Sequence, residues 1–229
     1  MVLSLLSGAG TFLGAVMAVY LPLKRAMPYL VGFAAGVMSA VALLEIVPTS
    51  LRLGGSYALF LGGTAGVLLL FLADAVLGHP PVNLRASYQR LGWLLVMGIA
   101  LHDFPEGMAI GAGGTVAAEL GIFLALAVGI HNLPEGLINA APLRLGGLSS
   151  ARILWLNALL SLVTPAGTVF GIVVARRVPL LIPALLALAA GAMLYIVAKE
   201  LTPRMMRKKG AAGFILGVLT LTMLLSHIH

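Results

Sequence analysis

His102-Asp103-Phe104-Pro105-Glu106-Gly107 and His131-Asn132-Leu133-Pro134-Glu135-Gly136 are near-copies of one motif, each set inside a long apolar stretch. Each copy places a His and a Glu four residues apart, so on a helix both side chains leave the same face about one turn apart. Imidazole and carboxylate together suit a divalent transition metal. Pro105 and Pro134 each remove a backbone donor, which frees the Leu101 and Ile130 carbonyls and favours a kink. A single motif of this kind could serve only to fix packing, its His and Glu satisfying one another or a neighbour. Two copies on adjoining segments point to a metal site, in which two neutral imidazoles and two carboxylates balance a doubly charged ion.

The elements that position these residues are membrane helices. Hydrophobic residues make up 61% of the chain and charged residues 9%, with a mean hydropathy of +1.10. A water-soluble domain could not hide apolar runs of about 20 residues that recur along its whole length. The expected fold is therefore an all-α polytopic membrane protein, a single transmembrane domain over 1–229. Eight apolar segments are expected at about 3–23, 28–50, 55–78, 91–112, 117–142, 151–175, 180–203 and 210–228. No base precedes the first segment and Lys24-Arg25 follow it, the reverse of a secretory signal, so it reads as a retained helix. Pro80-Pro81 break any helix in the loop between His79 and Arg90.

The net charge of +7 does not indicate nucleic acid, because the bases lie in short connections, where they set topology. With the N-terminus outside, Lys24, Arg25, Arg85, Arg90, Arg144, Arg152, Arg204, Arg207, Lys208 and Lys209 fall inside, against Arg52, Arg176 and Arg177 outside. Both termini are therefore expected to be extracytoplasmic. The chain has no cysteine, so thiolate ligands and disulfides are excluded. Glycines recur at four-residue spacing in Gly32/Gly36, Gly62/Gly66, Gly107/Gly111, Gly167/Gly171 and Gly213/Gly217, a pattern read as close helix packing.

Six of the seven acidic residues, Glu45, Asp74, Asp103, Glu106, Glu135 and Glu200, fall in apolar segments, where an ionised carboxylate costs several kcal/mol unless paired or hydrated. Segments four and five should run antiparallel about a turn near Ala118, which brings His102, Glu106, His131 and Glu135 to one depth. Asp74 and Glu200 lie toward segment ends and are read as hydrated or Lys-paired, with Lys199 and Arg204 near the latter. Glu45, followed by Pro48, is read either as a pathway residue or as a buried hydrogen-bonded acid. His79, His227 and His229 are read as solvated, and Met38 as core packing.

With these motifs in hand, the chain resembles the ZIP family of zinc and iron transporters over all eight segments. The family's fourth and fifth helices carry motifs similar to 102–107 and 131–136, and its termini lie outside. Gly36-Val37-Met38 looks like the family's second-helix pattern, which adds Met38 as a further ligand. Ala189-Ala190-Gly191-Ala192-Met193-Leu194-Tyr195 with Glu200-Leu201-Thr202-Pro203 is similar to the seventh. The resemblance implies divalent-metal transport into the cytoplasm across the cell membrane, with helices one, four, five and six moving against two, three, seven and eight. Zinc or cadmium is the expected cargo, with iron, manganese and cobalt open; no cofactor beyond the transported ion is expected, and a homodimer is possible.

Two departures qualify it. Thr164, in Leu162-Val163-Thr164-Pro165, stands where many prokaryotic members have a Glu that binds a second metal, so one well-occupied site is expected. A second ion would lean on Asp103, Asn132 and water. The connection between segments three and four holds only His79, which argues against metal sensing there. Occupancy should fall as pH drops below the ordinary imidazole value of roughly 6.5. Alternating access is the expected mechanism. The rivals are an intramembrane metal hydrolase, disfavoured because no general base or nucleophile is left over, and an exporter using the same site.

Overall fold

The computed structural model describes residues 2–21, 23–78, 82–178, 181–205 and 208–226, and those residues are helical almost throughout. His79, Pro80, Pro81, Arg207, His227 and His229 lie outside the described residues, as does the reading of each. The helices are α1 (Val2–Tyr20), α2 (Leu23–Ala40), α3 (Val47–Leu77), α4 (Leu84–Val116), α5 (Ala118–Leu145), α6 (Ser150–Leu160), α7 (Val163–Arg177), α8 (Leu181–Ile196), α9 (Thr202–Met205) and α10 (Lys208–Ser226). Among the described residues five helices are long and apolar enough to cross a membrane.

Burial is arranged as it must be in hydrocarbon. On α1 the large side chains Leu6 and Leu13 are 65% and 53% exposed, while Ser7 and Thr11 are buried. Its buried face is Ser4, Ser7, Gly8, Thr11, Gly14, Ala15 and Ala18. Small residues let helices approach when lipid is as apolar as Leu, so the large chains face outward and the small ones inward. The chain is an all-α membrane protein.

Where the apolar segments were expected to end, the helices often run on. The second and third segments form one continuous helical path that bends at Gly55, whose φ of 68° lies in the left-handed region. The sixth is broken into α6 and α7 at Ser161 and Leu162. Two π-helical turns, Val41–Ile46 and Val197–Leu201, join α2 to α3 and α8 to α9. Each precedes a proline, Pro48 or Pro203, that supplies no N–H and crowds the carbonyl four residues back. The ladder widens there: the Val47 N–H reaches the Ala42 carbonyl and the Thr202 N–H reaches that of Val197. The two stretches share one pattern not evident from periodicity alone. Ala34-Ala35-Gly36-Val37-Met38 then Glu45 and Pro48 recurs as Ala189-Ala190-Gly191-Ala192-Met193 then Glu200 and Pro203. Pro105 and Pro134, by contrast, sit inside α4 and α5 without interrupting them.

The helices sort into two groups. In one, α5 packs on α1 and α4, α7 on α4, and α6 on α1; in the other, α3 packs on α8 and α2 on α10. The groups meet chiefly along α4 and α8, with lesser contact between α2 and α5.

Candidate metal site

The two motifs lie on α4 and α5, an antiparallel hairpin closed by the single extended residue Ala117 (φ −149°, ψ 137°). The turn falls where the sequence expectation put it. So tight a connection works because Gly114 and Gly121 face each other; a Cβ on Gly121 would lie 2.7 Å from the Gly114 Cα. A hairpin centred there sets His102 level with Glu135 and Glu106 level with His131.

The His and Glu residues therefore pair across the helices and not along them. His102 Nε2 is 3.1 Å from Glu135 Oε2, and His131 Nε2 is 3.0 Å from Glu106 Oε2. Asp103 Oδ1 is 3.3 Å from His102 Nε2. Ligand atoms of His102, Asp103 and Glu135 all lie within 4.8 Å of one another, the one such group of three among the described residues. His102, Asp103 and Asn132 have no exposed surface, and Glu106, His131 and Glu135 have 4% or less.

Much of the donor set has no partner of its own. Both His Nδ1 atoms, Oε1 of Glu106 and Glu135, both Asp103 oxygens and the Asn132 oxygen are buried without a hydrogen bond. Buried polar groups are normally satisfied, so a cluster of unsatisfied acceptors needs an explanation. Three carboxylates and two imidazoles are a donor set of the kind that suits a divalent cation. Asn132 is anchored by its amide, which donates to the Ser7 carbonyl of α1 at 3.2 Å.

The remaining residues of the sequence reading are placed as follows. Thr164 on α7 is fully buried with an unpartnered hydroxyl, beside the first motif: a Cβ on Gly107 would overlap the Thr164 carbonyl. Met38 is 1% exposed in the core. Glu45 is half-buried within the first π turn and in electrostatic reach of His131. His131 also borders a cavity of about 350 Å³ between α2, α5 and α10, whose walls include Phe33, Val37 and Leu221.

Asp74 is Lys-paired, one of the two expectations for it, but the Arg90 partnership that it shares with Glu200 was not expected. Both are 4% exposed rather than hydrated, and both are held by Arg90, itself 8% exposed. Lys199 binds Asp74, not Glu200. Arg90 looked like a topology signal because its place at a helix start masks the two acids that fold over it. The Asn139 amide, which donates to the Asn157 oxygen at 2.8 Å, was likewise invisible in the sequence, since two isolated Asn carry no spacing signal.

Residues 78–226 match the family described as ZIP Zinc transporter. The zinc transporter ZupT of Enterobacter sp. (strain 638) is 35% identical over 223 residues, 89% of this chain and 85% of the relative. The Salmonella arizonae zinc transporter ZupT is 34% identical over 226 residues, with the same shares covered. By sequence match across most of its length, the chain belongs to the ZIP zinc transporter family and is a transporter, not an enzyme.

Proposed function

We propose that this protein carries divalent transition-metal ions, zinc foremost, into the cytoplasm through the site between α4 and α5. The observation that carries this reading is the pair of crossed His/Glu contacts with Asp103 beside them, buried and short of hydrogen-bond donors. His102, Asp103 and Glu135 are the first ligands, with His131 and Glu106 completing the shell. Asn132 positions the second motif, and Met38, buried on α2, is the further ligand proposed from outside the hairpin. Cadmium, iron, manganese and cobalt fit the same borderline donors.

Eight membrane crossings with both termini outside accommodate the helical tracts, with α6 and α7 as one crossing and the Gly55 bend dividing two. The cell membrane is the proposed location, a homodimer the proposed assembly, and residues 1–229 form one transport domain. Alternating access fits the two helix groups, since α1 and α4–α7 hold every proposed ligand except Met38 and can move as a body against α2, α3 and α8–α10.

The test is zinc and cadmium uptake into proteoliposomes, comparing wild type, His131→Ala/Glu135→Gln and empty vesicles. Saturable uptake that the variant loses is expected. Uptake that survives the double substitution would remove the site from the pathway, and zinc binding without flux would remove the transport reading.

A further inference from the structure

The glycine contacts show where the molecule is locked and where it is not. On α1, Gly14 packs on the Leu133 carbonyl of α5 and Gly8 on that of Ser161; on α4, Gly107 and Gly111 meet the Thr164 and Thr168 carbonyls of α7. In the second group, Gly36 meets the Phe214 carbonyl, Gly62 that of Ala184 and Gly66 that of Leu188. These contacts interlock backbone with backbone inside one group. At Gly98 of α4, which meets the other group, a Cβ would run instead into side chains, those of Ile196 of α8 and Leu70 of α3. Side chains can change rotamer and slide; interlocked backbones cannot do so without separating.

Across this sliding boundary lies a buried ionic knot. Arg90 of α4 donates from Nε to the Gly78 carbonyl at 2.9 Å and from Nη1 to Glu200 Oε1 at 3.0 Å, and its Nη2 is paired with Asp74. One side chain of the first group thus grips three points on the second. Asp74 is also held from its own group by the Tyr195 hydroxyl at 3.0 Å and by Lys199. Replacing a buried ion pair by apolar groups is often neutral for stability, so stability alone does not account for the arrangement, whereas a switch or register role does.

Arg90, Leu94, Gly98 and His102 follow one another at four-residue spacing along one ridge of α4, which winds about 120° around the axis between its ends. Twelve residues of helix put Arg90 about 18 Å from His102 along the axis. On the proposed topology Arg90, Asp74 and Glu200 all lie toward the cytoplasmic ends of their helices. We infer that Arg90 is an ionic clasp that holds the two helix groups together on the cytoplasmic side, and that it must let go of Asp74 and Glu200 before the metal site opens inward. The direction of opening rests on the proposed transport reading; the clasp rests on the contacts alone.

The test uses the absence of native cysteine. Leu94→Cys introduces a single thiol on that ridge, one turn from Arg90, at a position with no exposed surface. Its labelling rate by a water-soluble maleimide is compared with that in Arg90→Met/Glu200→Gln. This double change removes the clasp while leaving Asp74 its bonds to Lys199 and Tyr195. Labelling at least tenfold faster in the double variant, with unchanged elution from size-exclusion chromatography, is expected. Equal rates overturn the clasp. If the double variant does not fold, Arg90→Lys replaces it; a compact ammonium cannot fork to both acids, and a labelling rate equal to that of the parent again overturns the proposal. Zinc binding is measured in parallel on each protein. Faster labelling in a chain that binds no zinc leaves the clasp standing and removes the transport reading, so the two fail separately.

Discussion

Replacing Asp103 by Asn should move zinc affinity and stability in opposite directions. The carboxylate is fully buried, neither oxygen accepts a hydrogen bond, and a ligand atom lies within 4.8 Å of those of His102 and Glu135. An ion held between those two donors is no farther than that from the Asp103 charge. At that distance the attraction between one carboxylate and a doubly charged ion is about 2 kcal/mol in the dielectric of water, and about 7 kcal/mol at the effective value near 20 that suits buried sites. The smaller figure alone weakens binding roughly 20-fold. Asn has nearly the same shape, so no cavity contributes. Without metal the sign reverses: an ionised group lacking donors costs more to bury than a neutral amide, so the metal-free variant should unfold at a higher temperature. Competition against a fluorescent chelator gives Kd, and thermal unfolding with and without zinc gives stability. Zinc affinity within threefold of wild type would refute the placement of Asp103 on the ion, and a lower metal-free unfolding temperature would make it a structural group.

Thr164→Glu supplies a fourth carboxylate beside Gly107, and the zinc content per chain, read by elemental analysis, should rise from one to two; the extra bulk costs about 1–3 kcal/mol in the zinc-free protein. An unchanged zinc count would mean that α7 does not reach the ion. Gly14→Val drives a side chain into the Leu133 carbonyl at the second motif, so thermal stability should fall by at least about 1–3 kcal/mol and zinc affinity with it, measured on the same samples. Normal affinity in a destabilised protein would show that α1 braces the bundle without shaping the site.

The hairpin and its contents were legible because both signals are periodic and local. His and Glu four residues apart twice, with a midpoint at Ala118, determine which helices carry the paired motifs and at what relative depth. Spacing within each motif could not reveal the crossed pairing, because a His and Glu on one face are compatible with bonding to each other or to a neighbour. The antiparallel register decides it. Asp103 was read as support for a second ion because Thr164 stands where a Glu would bind one; in the structure its carboxylate lies 3.3 Å from His102 Nε2, which is why it is proposed here as a ligand to the first. The burial of Asp74 and Glu200 around Arg90 was missed for a different reason. Distance from a segment end measures depth along one helix, whereas burial depends on what neighbouring helices lay over it. Here α3, α4 and α8 converge at that end and exclude water.

Glycine spacing carried more than close packing. Gly32/Gly36 and Gly213/Gly217 are two sides of the same α2–α10 seam, just as Gly107/Gly111 and Gly167/Gly171 are two sides of the α4–α7 seam. Each pair of pairs lets two backbones interlock, and such a seam resists sliding because any axial shift drives carbonyls into Cα atoms. A transporter needs both properties: bodies stiff enough to hold ligands in place, and a boundary along which they move. Along the α4–α8 boundary the sequence supplies Gly98 opposite Ile196, an absent side chain facing a flexible one. The proposed ligands, Met38 apart, sit within one body, so the ion's shell can travel intact while what changes is the wall beside it. On that arrangement the affinity of the site is set by α4 and α5, and the energy difference between its two orientations is set elsewhere, by contacts such as Arg90 that the ion never touches.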